Sequence, residues 1–149
     1  MSGIIVGIDG SSHSQLALEW AMREAAVRRQ PLTVITVEQV AASGWHGMVV
    51  FPADEHFLAE AGTAARDLIA KATAELGEAT PPSVTLQAVF GLPAEKLIEA
   101  SEDADLVVVG SRGTGGFTRL LLGSVSAQVV RHAHCPVVIV PGERHQPAH

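Results

Sequence analysis

Five short apolar runs alternate along this 149-residue chain with stretches of helical period, and that alternation decides most of what the chain can fold into. The runs at 3–9, 32–37, 106–109 and 137–140 are too short for helices and apolar on both faces, as strands buried on both sides are. Residues 83–90 differ: Val84, Leu86 and Ala88 alternate with Thr85 and Gln87, the pattern of a strand with one less buried face, which suits a sheet edge. Between the runs, Leu16, Ala17, Trp20, Ala21, Met22 and Ala25 recur at helical spacing, as do Phe57, Leu58, Ala61, Ala65, Leu68, Ile69 and Ala72. Pro31, Gly77, Pro81 and Pro93 punctuate the pattern, which predicts helices over 12–29, 54–76, 93–100 and 124–133. In the last of these, Val125, Val129 and Val130 are expected to face inward. Such an alternation builds an α/β domain: a parallel sheet with right-handed crossovers and helices on both faces. One domain over 1–142 is expected, with a flexible tail at 143–149.

Composition narrows the function. The formal charge is -6, and the two lysines, Lys71 and Lys96, stand far apart, so the clustered basic surface that binds nucleic acid is missing. Arg28, Arg29, Arg112, Arg119 and Arg131 remain available for local anion sites. No apolar run approaches the roughly 20 residues of a membrane-spanning helix. A single cysteine, Cys135, and a start that runs straight into a strand pattern predict a soluble, cytoplasmic protein without disulfides.

In parallel sheets, ligands sit outside the carboxyl ends of the strands, where the strand order reverses. Two polar segments stand at such ends, Asp9-Gly10-Ser11 after the first run and Gly110 to Ser124 after the fourth. The second holds Gly110, Gly113, Gly115, Gly116 and Gly123. Glycines at this position allow close backbone approach, and the following helix N-terminus adds unpaired N–H donors and partial positive charge. With the hydroxyls of Ser124 and Ser126 and the charge of Arg112 or Arg119, the loop reads as a phosphate cradle. The plainer alternative is that Ser124 caps its helix and the glycines only turn the chain. The loop has no lysine, which excludes the P-loop pattern, and Thr118 interrupts the dinucleotide-binding pattern.

Gly110-x2-Gly113-x9-Gly123-Ser124 resembles the adenine-nucleotide motif of the universal stress protein family. The likeness extends to Val6-Gly7-Ile8-Asp9-Gly10-Ser11 and to Arg131-His132-Ala133-His134-Cys135-Pro136-Val137. The resemblance implies an adenine nucleotide alpha hydrolase-like fold, a five-stranded sheet of order 3-2-1-4-5, with ATP and Mg²⁺ between the ends of strands one and four. By position, it puts Gly7 and Asp9 on the nucleoside side and the Val37 backbone against adenine. Gly110, Arg112, Gly113 and Gly116 would serve the ribose and phosphates, completed by Gly123, Ser124, Val125 and Ser126.

Other residues carry weaker signals. Asp9 is a candidate for a metal or a ribose hydroxyl, its alternative being a helix cap. Trp45 to Phe51 read as a cover over the core or over a base. His132, His134 and Cys135 suggest a metal site, against which two of them sit at the end of a helix, where histidine suits the dipole; His13, His46, His56, His145 and His149 show no ligand spacing. The run Val137 to Val140 would be an exposed apolar edge unless covered, and an isologous homodimer through it, which the family resemblance also implies, covers it. The alternative is the tail folding back. No catalytic base is evident, so the expectation is a nucleotide-dependent stress-response regulator with at most slow hydrolysis. The competing classes are an adenylyl- or phosphoryl-transferring enzyme and an ATP-independent interaction module.

Overall fold

A computed structural model of the chain describes residues 3–38, 55–111 and 122–142. The elements in order are β1 (Ile4–Ile8), α1 (Ser12–Arg28), β2 (Leu32–Glu38), α2 (Glu55–Leu76), β3 (Val84–Phe90), α3 (Pro93–Ser101), β4 (Leu106–Gly110), α4 (Ser124–His132) and β5 (Val137–Val140). The strands form one five-stranded parallel sheet in the order β3-β2-β1-β4-β5.

The two-faced apolar character of the central strands is used on both sides. Ile4, Val6 and Ile8 enter one core with Leu32, Val34, Leu106 and Val108, and α1 and α2 close it through Ala17, Leu18, Ala21, Met22, Ala65 and Ala72. Ile5, Ile35, Val107 and Val109 enter a second core, closed by Ala94 and Leu97 of α3 and Val129 of α4. Period two in the strands therefore divides one sequence run between two cores. Each fully buried Ile, Leu, Val or Met side chain stabilises the fold by about 1.5–3 kcal/mol. β3 lies at an edge of the sheet, as its alternation predicted, with Thr85 and Gln87 exposed and Leu86 and Ala88 half-buried, but Val84 at its start is exposed as well.

Local chemistry explains the element ends. The Ser11 hydroxyl caps α1 by accepting the Ser14 N–H at 3.2 Å. At the other end, Arg29 adopts φ 54° and ends the helix one residue earlier than its periodicity suggested. There Gln30 N–H reaches the Ala25 carbonyl at 2.9 Å and Arg29 N–H the Ala26 carbonyl at 3.2 Å, closing the last turn. Pro93 opens α3, as expected.

One inward assignment is corrected. Val129 is fully buried and Val125 packs against the same core, but Val130 is 49% exposed. Neighbouring helical positions point about 100° apart, so the stripe that includes Val125 and Val129 cannot also include Val130. The apolar connection with Trp45 to Phe51 and the tail at 143–149 lie outside the described residues. No helix among the described residues is long and apolar enough to cross a membrane.

Candidate functional site

The sheet parts at its carboxyl end. β1 and β4 pair from Ile4–Leu106 only as far as Val6–Val108. Beyond that point β1 stays with β2 to Ile8–Thr36, and β4 stays with β5 to Gly110–Val140. From β1 the chain passes into α1 over the first core, and from β4 it passes into α4 over the second. Opposite departures from adjacent strands leave a crevice between them, the topological switch point of an open α/β sheet.

Asp9 forms one rim. It is exposed, and its Oδ1 accepts the Ser11 N–H at 2.9 Å across a turn that Gly10 makes at φ 84°. Because Ser11 is the helix cap, the carboxylate holds the turn without being spent on the helix end.

The other rim is built around Ser111, which follows β4 and is 7% exposed. Its N–H donates to the Val140 carbonyl at 2.9 Å, tying the start of the glycine loop to the end of β5. Its own carbonyl accepts the Gly123 N–H at 2.6 Å and the Ser126 hydroxyl at 3.1 Å. The two ends of the loop therefore meet at one carbonyl oxygen.

α4 begins there. Gly123 is its N-cap, with φ -73° and ψ 171°, and no side chain caps the helix among the described residues. The first intrahelical bond runs from Ala127 N–H to the Gly123 carbonyl at 3.0 Å. The N–H groups of Ser124, Val125 and Ser126 precede it, so the first turn offers donors and the positive end of the helix dipole.

These observations place the residues that the sequence nominated. Gly110, Gly123 and Ser126 are gathered at the loop neck, with Ser124 exposed and Val125 half-buried beside them. Asp9 stands at the end of the neighbouring strand. Val37 lies near the end of β2, paired with Val89 and packed against the second core. Gly7 lies within β1, where an added Cβ would fall 2.8 Å from Leu97 Cδ1, so a side chain there would have to displace Leu97 of α3. Arg112, Gly113 and Gly116 lie outside the described residues. Ser124 is the first helical residue and Gly123 the cap, which sets aside the reading of Ser124 as a cap alone.

Sequence reasoning missed Ser111 and the Val140 carbonyl. No residue type signals them, because both act through main-chain groups. Cys135 and His134 precede β5, at the amino end of the strands and away from the crevice. Burial pushes the Cys135 thiol above its usual range, and the charge of Asp105 adds to the effect. His134 donates its N–H to the Ser101 hydroxyl at 2.9 Å and sets Nε2 3.7 Å from Glu102 Oε1.

Sheet order and the crevice at the carboxyl ends of β1 and β4 together define a doubly wound α/β protein. The chain belongs to the universal stress protein family, whose model matches residues 1–141. Universal stress protein Rv2623 of Mycobacterium tuberculosis is 39% identical over 145 residues, which cover 95% of this chain and 48% of that protein. Universal stress protein Rv2005c of the same organism is 37% identical over 142 residues, covering 93% and 47%. The chain thus spans about half the length of the curated relatives it matches. Among solved structures, universal stress protein UspA from Lactobacillus plantarum superposes with a TM-score of 0.73 at 25% identity, covering 93% of this chain and 97% of that one. A universal stress protein solved in complex with cAMP superposes with a TM-score of 0.69 at 28% identity, covering 94% and 96%.

Proposed function

We propose that this protein binds an adenine nucleotide, ATP with Mg²⁺, in the crevice between β1 and β4 and acts as a nucleotide-dependent stress-response regulator in the cytoplasm. One observation carries the reading: the central strands part at Val6 and Val108, and the N-terminus of α4, which no side chain among the described residues caps, begins at the rim of that parting. The N–H groups of Ser124, Val125 and Ser126, the Ser124 hydroxyl and the glycine motif from Gly110 through Gly113 to Gly123 suit a phosphate chain. A neighbour at 28% identity solved with cAMP supports an adenine nucleotide.

The donor set fits the proposed ion as well. Asp9 keeps its second carboxylate oxygen clear of the turn bond to Ser11, and a hard oxygen donor is what Mg²⁺ takes beside phosphate oxygens. Gly7 and Val37 shape the nucleoside side, and Arg112 and Gly116 complete the loop. Regulation requires a listener, and a second copy of this chain joined through Val137 to Val140 is the first partner proposed.

The test is the nucleotide content of freshly purified protein, followed by calorimetric titration with ATP and Mg²⁺. The expected result is retained or saturable ATP that Gly113→Arg removes. Absence of binding to the wild-type protein overturns the proposal. Multiple turnover on a second substrate would move it to the enzyme class.

A further inference from the structure

The Ser126 side chain is 2% exposed, and its Oγ lies 3.1 Å from two carbonyl oxygens, those of Ser111 and Gly123. A serine hydroxyl carries one proton, so the two carbonyls share or alternate for it. The bond to Gly123 is a local one within the first turn of α4. The bond to Ser111 crosses to the far end of the glycine loop, over 15 residues of sequence. It meets there the Gly123 N–H, which reaches the same Ser111 oxygen at 2.6 Å. One carbonyl thus uses both lone pairs to hold the start of α4 against the end of β4, while the Ser111 N–H fastens that end to Val140 of β5.

We propose that Ser126 is a positioning residue that latches the neck of the glycine loop, its hydroxyl directed at the protein backbone and not at the ligand. The consequence for binding rests on the nucleotide reading above. The latch sets where the first-turn N–H groups of α4 stand relative to the carboxyl end of β1. Its loss weakens attraction for a triphosphate while leaving attraction for adenosine, which lacks phosphates, nearly unchanged. The β4 end is still tied to β5 without it, so the sheet persists.

The test compares wild type, Ser126→Ala and Ser126→Thr. Amide hydrogen exchange on ligand-free protein reads the neck at Gly123 and the core at Val108, and calorimetry reads ATP and adenosine. The expected outcome for Ser126→Ala is exchange at Gly123 faster by roughly two- to tenfold, with Val108 unchanged and ATP affinity reduced by a similar factor. Ser126→Thr, which keeps the hydroxyl, restores both. If Ser126→Ala folds poorly, Ser126→Cys, with its weak S–H donor, carries the same comparison.

Reduced ATP affinity with unchanged exchange at Gly123 overturns the latch and makes the hydroxyl a ligand contact. Faster exchange with unchanged ATP affinity overturns its role in binding. A wild-type protein that binds no adenine nucleotide overturns the proposed function, and the exchange measurement, made without ligand, still decides the latch separately.

Discussion

Leu97 of α3 rests against Gly7 of β1 so closely that a methyl group at position 7 would lie 2.8 Å from Leu97 Cδ1 and 3.1 Å from Cδ2. Leu97 is itself 3% exposed and packed into the second core, so it has little room to withdraw. Gly7→Ala is therefore expected to cost about 1–3 kcal/mol through overpacking. Thermal or denaturant unfolding checks this. The double variant with Leu97→Ala should be more stable than the sum of the two single losses, because the added methyl occupies part of the space that Leu97 vacates.

Two helix N-termini separate stability from binding. α1 is capped by Ser11, so Ser11→Ala should cost about 0.5–2 kcal/mol in an unfolding experiment. α4 has Gly123 in the cap position and an exposed Ser124 just inside. Ser124→Ala should leave stability within about 0.5 kcal/mol of the wild type. Its effect should fall on ATP affinity, by roughly two- to tenfold in calorimetry.

At Asp9, the turn and the charge can be taken apart. Asp9→Asn retains an oxygen able to accept the Ser11 N–H but loses the negative charge, whereas Asp9→Ala loses both. Under the proposed function, both variants should reduce the gain in ATP affinity that Mg²⁺ gives, by roughly tenfold or more. Only Asp9→Ala should also lower the melting temperature. Full retention of the Mg²⁺ effect in both would exclude Asp9 from the ion.

The Cys135 thiol is held above its usual range first by burial and then by Asp105. Alkylation rate against pH should rise at a higher midpoint than in the unfolded chain. Asp105→Asn, which keeps an oxygen for the Gln30 amide now 2.7 Å from Asp105, should bring the midpoint only part of the way back. The sign for stability follows from which state holds its proton longer. The contribution is complete below the unfolded thiol pKa and declines as pH rises through the folded one, so Cys135→Ala should remove an alkaline loss of stability.

The order of elements was legible because each strand and helix announces itself over several consecutive residues. β1 is apolar at every position from Ile4 to Ile8 except Gly7, and α1 repeats its apolar positions over the whole of Leu16 to Ala25. Sheet order came from the family resemblance, since periodicity does not say which strands are neighbours. The crevice was legible only as a place, at Asp9 and Gly110. Its opening depends on where the β1–β4 ladder stops, which no local pattern encodes. The loop neck was harder still: Ser111, Gly123 and Ser126 meet through a main-chain oxygen, and a carbonyl has no letter in the sequence. Val130 shows the reverse failure, a valine whose type suggested burial and whose angular position on α4 exposes it.

The edge strand β5 allows a test that spares the rest of the sheet. Pro136 and Val140 give their carbonyls to Val107 and Ser111, on the β4 side. Main-chain groups alternate in direction along a strand, so Val137 and Ile139 turn their N–H and C=O groups to the open edge. Proline at 139 would remove an outward N–H, a position that edge strands tolerate, and Val138 before it is already extended. Ile139→Pro should therefore keep the fold, by circular dichroism, while abolishing the proposed pairing with a second copy. Sedimentation of the wild type as a dimer and of the variant as a monomer is the expected result. A wild type that sediments as a monomer removes the proposed self-pairing and leaves coverage of the edge to residues 143–149.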